Sequence, residues 1–262
     1  MSATQAVPVL RCYDSITALE SLVALFRVAP DDLAAALPLA ARAAEADQHT
    51  PYPAKLLVPA LAAALGRPPA APSRIHCFHR TRIFDPDEIV QHGLLPLSQL
   101  IDGLWDRMGQ LAPEVAPERF AALRRTVEEG HVDALSYRAR MKLATRDDGP
   151  HGALVRDVLL DPSSNFVRIP ENICFAARGV LGVDLEPRYE RVTMSCIVEF
   201  SVAPDDLDQA LAAACWYVEA TLRDGADPTA GDTHWNYNGN GVAVPPGDIV
   251  AVETLDPRHD GA

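Results

Sequence analysis

Residues 78–94 read FHRTRIFDPDEIVQHGL, and this stretch decides the fold. Together with the preceding Arg74-Ile75-His76-Cys77, Phe78-His79 forms an apolar-rich run that predicts a buried strand ending on a histidine. Asp85-Pro86-Asp87-Glu88 then predicts a helix start. Asp suits the cap, Pro the first helical position, and Glu88 the capping-box site. Gly93 ends that helix after about two turns. Ile89 and Val90 are positioned to anchor it to a core. The result is a histidine on rigid structure beside a loop, where an imidazole and neighbouring backbone groups can hydrogen-bond a ligand. The same features also describe a histidine that serves the core or surface alone.

Upstream, the first seventy residues read as helical. Ile16, Leu19, Leu22, Val23 and Phe26 fall on one helical face. Pro30-Asp31-Asp32 opens a second helix with Leu33, Leu37, Ala40 and Ala41 on its apolar side. A third helix is expected over 56–65, stopping at Gly66. The segment GRPPAAPS, 66–73, is the best linker candidate. It suggests a helical N-terminal region, 1–70, followed by a second domain, 74–258.

Downstream, 98–165 reads as a mostly helical insertion, with a helix starting at Pro117 and ending at Gly130. Strands are expected at 172–176 and 191–202. In the latter, Val192, Met194, Cys196, Val198, Phe200 and Val202 alternate with Thr193, Ser195, Glu199 and Ser201. A helix from Pro204 to Leu222, a Gly/Asn-rich turn at 236–241, a short strand at 242–244 and a last strand at 249–255 complete the chain. FRVAPDDLAAAL at 26–37 echoes FSVAPDDLDQAL at 200–211, which reads as two similar helix starts rather than a repeat.

The chain has 262 residues, enough to bury a core without staples. Its 36 acids against 23 bases give a net charge of -13, which opposes a nucleic-acid partner unless a local basic surface overrides it. A nucleic-acid target is therefore not expected, although Arg67, Arg74, Arg80 and Arg82, with no acid between them, form one local basic patch. A second basic segment, Arg138, Arg140, Lys142 and Arg146, reads as a charged helix face or an anion contact. The five cysteines are odd in number and widely spaced, so reduced thiols are expected. Cys77 and Cys174 lie in apolar runs and read as inert core thiols. The opening MSATQAVPVLRCYDS lacks a basic stretch ahead of an apolar core, and the run 58–65 is too short to span a bilayer. A cytoplasmic protein without a membrane partner is therefore expected. No HExxH, paired-cysteine, GxSxG or phosphate-loop motif occurs. Trp216 reads as core. Trp235 and Tyr237, among His234, Asn236, Asn238 and Asn240, read either as a packed turn or as the lining of a ligand cleft.

The residues resemble ADP-ribosyltransferases of the histidine-tyrosine-glutamate class. Phe78-His79, Ile89-Val90 and Gly93-Leu94 occur at that family's spacing. Ile173-Cys174-Phe175-Ala176 is similar to its second motif. A long amphipathic strand then precedes a final Pro245-Pro246 turn and strand. The resemblance covers about 74–256 and implies an α+β fold, with a split antiparallel sheet, a helical N-terminal region and a helical insertion. It implies NAD as a substrate bound between two small sheets. His79 would bond a ribose hydroxyl. The Arg80 backbone would hold the nicotinamide amide, Thr81 would be a further cofactor-binding position, and Arg82 or Arg80 would neutralise the pyrophosphate. Phe175, Cys174 or Tyr137 would lie against the nicotinamide.

Three departures bear on activity. Arg80 stands where Gly is usual, Cys174 where a stacking Tyr is usual, and Asn240 near the expected Glu. Cleaving the nicotinamide–ribose bond builds positive charge that a carboxylate stabilises, and Asn240 carries none. Glu219, read as a solvated helix position, and Asp232, read as a turn residue, are the other acids considered. The expected function is thus an NAD-dependent ADP-ribosyltransferase acting on a macromolecular target. The context it implies is a bacterial effector or toxin with a protein target and an antitoxin or immunity partner. The alternatives are a degenerate member that binds NAD or a protein without catalysis, and an unrelated mixed domain.

Overall fold

The computed structural model describes residues 8–46, 54–129, 149–161, 170–204 and 206–255. They build a mixed fold of helices and a largely antiparallel sheet, the α+β class expected. The strands are β1 (Val9–Leu10), β2 (Arg74–Ile83), β3 (His151–Ala153), β4 (Met194–Val202), β5 (Asn236–Asn238) and β6 (Ile249–Thr254). They form one six-stranded sheet in the order β5-β3-β2-β4-β6, with β1 parallel on β2, where the resemblance anticipates a split sheet. The chain divides into two compact units that do not follow chain order. One takes Met1–Phe78, Gly152–Ser164 and Phe200–Tyr237, and the other takes the remainder. The 66–73 stretch, expected as a linker, lies inside the first unit.

In the first unit, α1 (Ser15–Phe26) starts at a capping box. Asp14 accepts from the Thr17 amide at 2.8 Å, and the Thr17 hydroxyl accepts from the Asp14 amide at 3.0 Å. Its buried face is Ala18, Leu22, Leu25 and Phe26, while Ile16 is exposed, so the apolar stripe is rotated from the expected one. The second helix, α2 (Pro30–Glu45), buries Leu33, Leu37, Ala40 and Ala41 as expected. It packs on α3 (Ala54–Leu65), and both contact α9 (Leu207–Leu222). That last helix is buried from Ala210 to Ala220, which its small alanines permit. Glu219 is not on a solvated face. It is 3% exposed and accepts from Arg223 at 2.8 Å. Trp216 is core as expected. Trp235 is also buried, and Tyr237 sets its ring edge-on to Phe200, so these two form a packed turn.

In the second unit, α4 (Pro86–His92), α5 (Leu97–Gln110), α6 (Pro117–Glu128), α7 (Glu171–Ala176) and α8 (Glu186–Val192) surround a core of Trp105, Met108, Phe120, Leu123, Ile173 and Leu185. The expected strand at 172–176 is helix α7. Ile173, Cys174, Ala176 and Ala177 are buried while Phe175 is exposed, a helical spacing rather than alternation. The Pro170 carbonyl accepts from the Ile173 and Cys174 amides and starts the turn. The expected strand at 242–244 reduces to a single antiparallel bridge, Leu94 to Val244. Residues 130–148, which include the second basic segment, lie outside the described residues. From Ser195 to Phe200 both alternating sets of β4 are buried, with Ser195 and Glu199 3% exposed, while Met194 at the strand's start is exposed. Period-two patterning therefore marks a strand here but not a solvated face.

Gly93 closes the turn after α4 at φ +77°, and a Cβ there would lie 2.0 Å from the Val244 carbonyl oxygen. Gly93→Ala is expected to cost about 2–3 kcal/mol of stability. Gly103→Ala, in open space on α5, is expected to gain up to about 1 kcal/mol. Urea unfolding of both variants checks the pair, and equal effects would contradict the close approach at Gly93.

Candidate functional site

Strand alternation sorts the 78–94 stretch into two sides. His79, Thr81 and Ile83 point to one side of β2, and Arg80 and Arg82 to the other. Within the second unit, a cavity of about 560 Å³ opens on the His79 side. Among the described residues its walls come from β2, α4, the Leu94–Leu95 turn, α5, Gly149–His151, Pro170 and Tyr189. Leucine, isoleucine and proline side chains share that lining with polar ones, among them His79, Thr81, Arg82, Glu88 and Arg107, a mixture that suits a small-molecule site.

The His79 ring is oriented by one bond. Its Nδ1 lies 2.8 Å from the His151 carbonyl oxygen, so Nδ1 carries the proton and donates. Nε2 is then the acceptor of a neutral ring. Burial pushes the His79 imidazole down to about 4; the bond to His151 opposes this only in part, and the nearby His151 ring adds to it. His79 is therefore uncharged at neutral pH, suited to accept from a ligand hydroxyl and unsuited to pair with an anion.

The other side of β2 is structural. Arg80 is 3% exposed. Arg82 donates from Nε to the Thr193 hydroxyl at 3.0 Å, and from Nη2 to the Glu190 and Thr193 carbonyls at 2.9 Å each. Tyr189 donates its hydroxyl to the Arg82 carbonyl at 3.0 Å. These bonds tie β2 to α8 and to the start of β4. The expectation that Arg80 or Arg82 meets a pyrophosphate finds no support at Arg80, which is buried; Arg82 lines the cavity, but its guanidinium is engaged by Thr193 and Glu190.

Beyond Ile83 the cavity wall changes character. The Phe84 ring meets Tyr189 edge-on at 5.6 Å, and the Arg107 guanidinium sits 4.6 Å from the Phe84 centroid. Arg107, on α5, donates Nη2 to Glu88 Oε1 at 2.5 Å and Nη1 to Oε2 at 3.2 Å. Glu88 was expected in a capping box. Instead Asp85 caps α4 alone, accepting from the Asp87 amide at 3.0 Å, and Glu88 turns to Arg107. Phe84, Glu88, Arg107 and His151 are the residues that sequence reasoning did not assign to the site. The only signal for the Glu88–Arg107 pair was opposite charge on two adjacent predicted helices, too common to select them.

The remaining expected site residues fall elsewhere. Thr81 lines the cavity. Cys174 is buried in the helical core, where desolvation first and the nearby Glu186 and Asp184 next push its thiol up to about 12. Phe175 on α7 is 52% exposed, and neither it nor Cys174 is among the lining residues. Tyr137 lies outside the described residues. Asn240 is exposed at φ +50° and bonds back to Asn238 through its own amide and side chain. Its turn nevertheless supports the site: Gly239 donates to the Pro150 carbonyl at 2.9 Å and Gly241 to the Gly149 carbonyl at 3.0 Å. Asn240 thus sits behind the Gly149–Pro150 wall rather than in the cavity. Asp232 is exposed in a short turn, as expected. Among the described residues no group of three or more metal-ligating side chains converges, and no helix is long and apolar enough to cross a membrane. All five cysteines are free and buried.

The depressed His79 value fixes a sign. Between its folded value of about 4 and the ordinary 6.5, the unfolded chain holds the proton and the folded chain does not. The stability contributed by neutral His79 is complete above about 6.5 and is lost as pH falls toward 4. Ring-nitrogen NMR at pH 6 is expected to show His79 neutral and protonated at Nδ1, and a midpoint near 6.5 would contradict this geometry. No protein-family model, curated protein or solved structure matches the chain.

Proposed function

We propose that the chain is a divergent ADP-ribosyltransferase-like protein that takes NAD into the cavity on the His79 side of β2. The observation that carries this reading is the His79–His151 bond, 2.8 Å long, which holds a neutral imidazole at the cavity wall with Nε2 as its acceptor. A ribose hydroxyl is the matching donor. Thr81 adds a hydroxyl on the same side of the strand, and the aliphatic part of the lining suits the flat faces of nicotinamide or adenine.

Binding without transfer is the better supported form. Bond cleavage needs a carboxylate beside the ribose, and Asn240 is uncharged and tied into its own turn. Glu88 is the one carboxylate among the described lining residues, and Arg107 neutralises it. A second reading, transfer of ADP-ribose to a macromolecular target, is favoured by that same residue, because a Glu88 released from Arg107 would supply the missing charge.

Titration with NAD, followed calorimetrically, is expected to show binding that weakens about ten-fold or more in His79→Ala. Nicotinamide release is expected at background. Release that collapses in His79→Ala would select the transferase reading, and no heat with millimolar NAD would overturn both.

A further inference from the structure

Arg80 is buried and Arg82 commits its guanidinium to Thr193 and Glu190, yet the cavity has a further guanidinium on its wall. Arg107 lines it from α5, and the Phe84 ring holds it in place at 4.6 Å. Its two terminal nitrogens already grip a fork-shaped anion, the Glu88 carboxylate, at 2.5 and 3.2 Å. A phosphate presents the same pair of oxygens to the same donors.

The carboxylate is weakly committed. Both side chains of the pair are substantially exposed, 39% for Arg107 and 45% for Glu88. An ion pair in such contact with water is worth about 0–1 kcal/mol. Glu88 rides on α4, a seven-residue helix that buries none of its side chains. Its carboxylate can turn to water without disturbing a core. Arg107 would keep its place on Phe84 after Glu88 leaves.

We infer that Arg107 is the phosphate receptor of this cavity, and that Glu88 is a resident competitor which an incoming phosphate displaces. The inference deepens the NAD reading, in which the anion is the pyrophosphate, and it names the ligand class as an elongated phosphate ester. The spacing supports that class. His79 and Ile83 are four residues apart on β2, about 13 Å, and Arg107 lies beyond Ile83 at Phe84. One ligand meeting both side chains carries a hydroxyl and a phosphate as separate groups.

A competitor and a structural ion pair predict opposite signs. Inorganic pyrophosphate and ADP-ribose are titrated into the full chain, with adenosine as the phosphate-free control. Glu88→Gln is expected to tighten both phosphate compounds about five-fold, the loss of a competing pair worth about 1 kcal/mol. Arg107→Gln is expected to weaken both about ten-fold or more, and adenosine is expected to respond to neither change. Arg107→Lys, which keeps the charge without the fork, is expected to fall between wild type and Arg107→Gln. It carries the test with Glu88→Gln should Arg107→Gln fail to fold. Weaker or unchanged phosphate binding in Glu88→Gln would overturn the inference. If NAD binds wild type and neither variant alters it, this inference falls and the NAD reading stands. If pyrophosphate binds with the opposite-signed responses while NAD and ADP-ribose do not bind, the NAD reading falls alone. If nothing carrying phosphate binds, both fall.

Discussion

β2 carries the half-buried His79 and the buried Arg80 and Arg82 within four residues, and polar groups so placed call for hydrogen-bond partners. The bonds that satisfy two of them organise the second unit. His79 donates to the His151 carbonyl and fixes the wall formed by Gly149–His151. Arg82 reaches Glu190 and Thr193 and fixes α8 and the start of β4, while Tyr189 returns a bond to the Arg82 carbonyl. Leaving a buried charge without such bonds would cost several kcal/mol, so the positions of these elements follow from the residues of β2. The alternation of a strand then divides the labour. The arginine side is structural, and the histidine side is left to line a cavity.

That division was only half legible in the sequence. The Asp85–Pro86 start and the Gly93 stop each act locally, and each appears where the residues placed it, whereas the strand expected to end on His79 runs on to Ile83. Pro117 and Pro30 start helices for the same reason. Residues whose role depends on distant partners were not legible. Ile173–Ala176 is four apolar residues that suit a strand or a helix equally, and the packing of Ile173, Cys174, Ala176 and Ala177 into one core decided for the helix. Glu219 reads as a surface acid, yet it is buried, and Arg223, one turn later and itself exposed, donates to it from the surface. Arg80 and Arg82 look available to a ligand because a sequence does not say which side chains the fold buries.

The candidate site shows the same limit. His79 and Thr81 were legible from the motif and its period. Glu88 and Arg107 were not, because they lie 19 residues apart on separate helices and meet only through the fold. Asn240 was placed near the chemistry by its order in the chain, and it does lie close behind the wall. However, its side chain serves its own turn. The net charge of -13 argues against a polyanionic partner. Among the described residues the cavity's lining holds Arg82 and Arg107, Glu88 as its acid, and the imidazoles of His79, His92 and His151, the scale of a small ligand.

The account rests on His79 facing a ligand as a neutral acceptor. A crystal structure of the chain soaked with NAD tests that most directly. The predicted result is a ribose hydroxyl within about 3 Å of His79 Nε2, with Nδ1 still bonded to the His151 carbonyl. NAD bound outside this cavity, or a His79 ring turned so that Nε2 bonds only to protein, would contradict it.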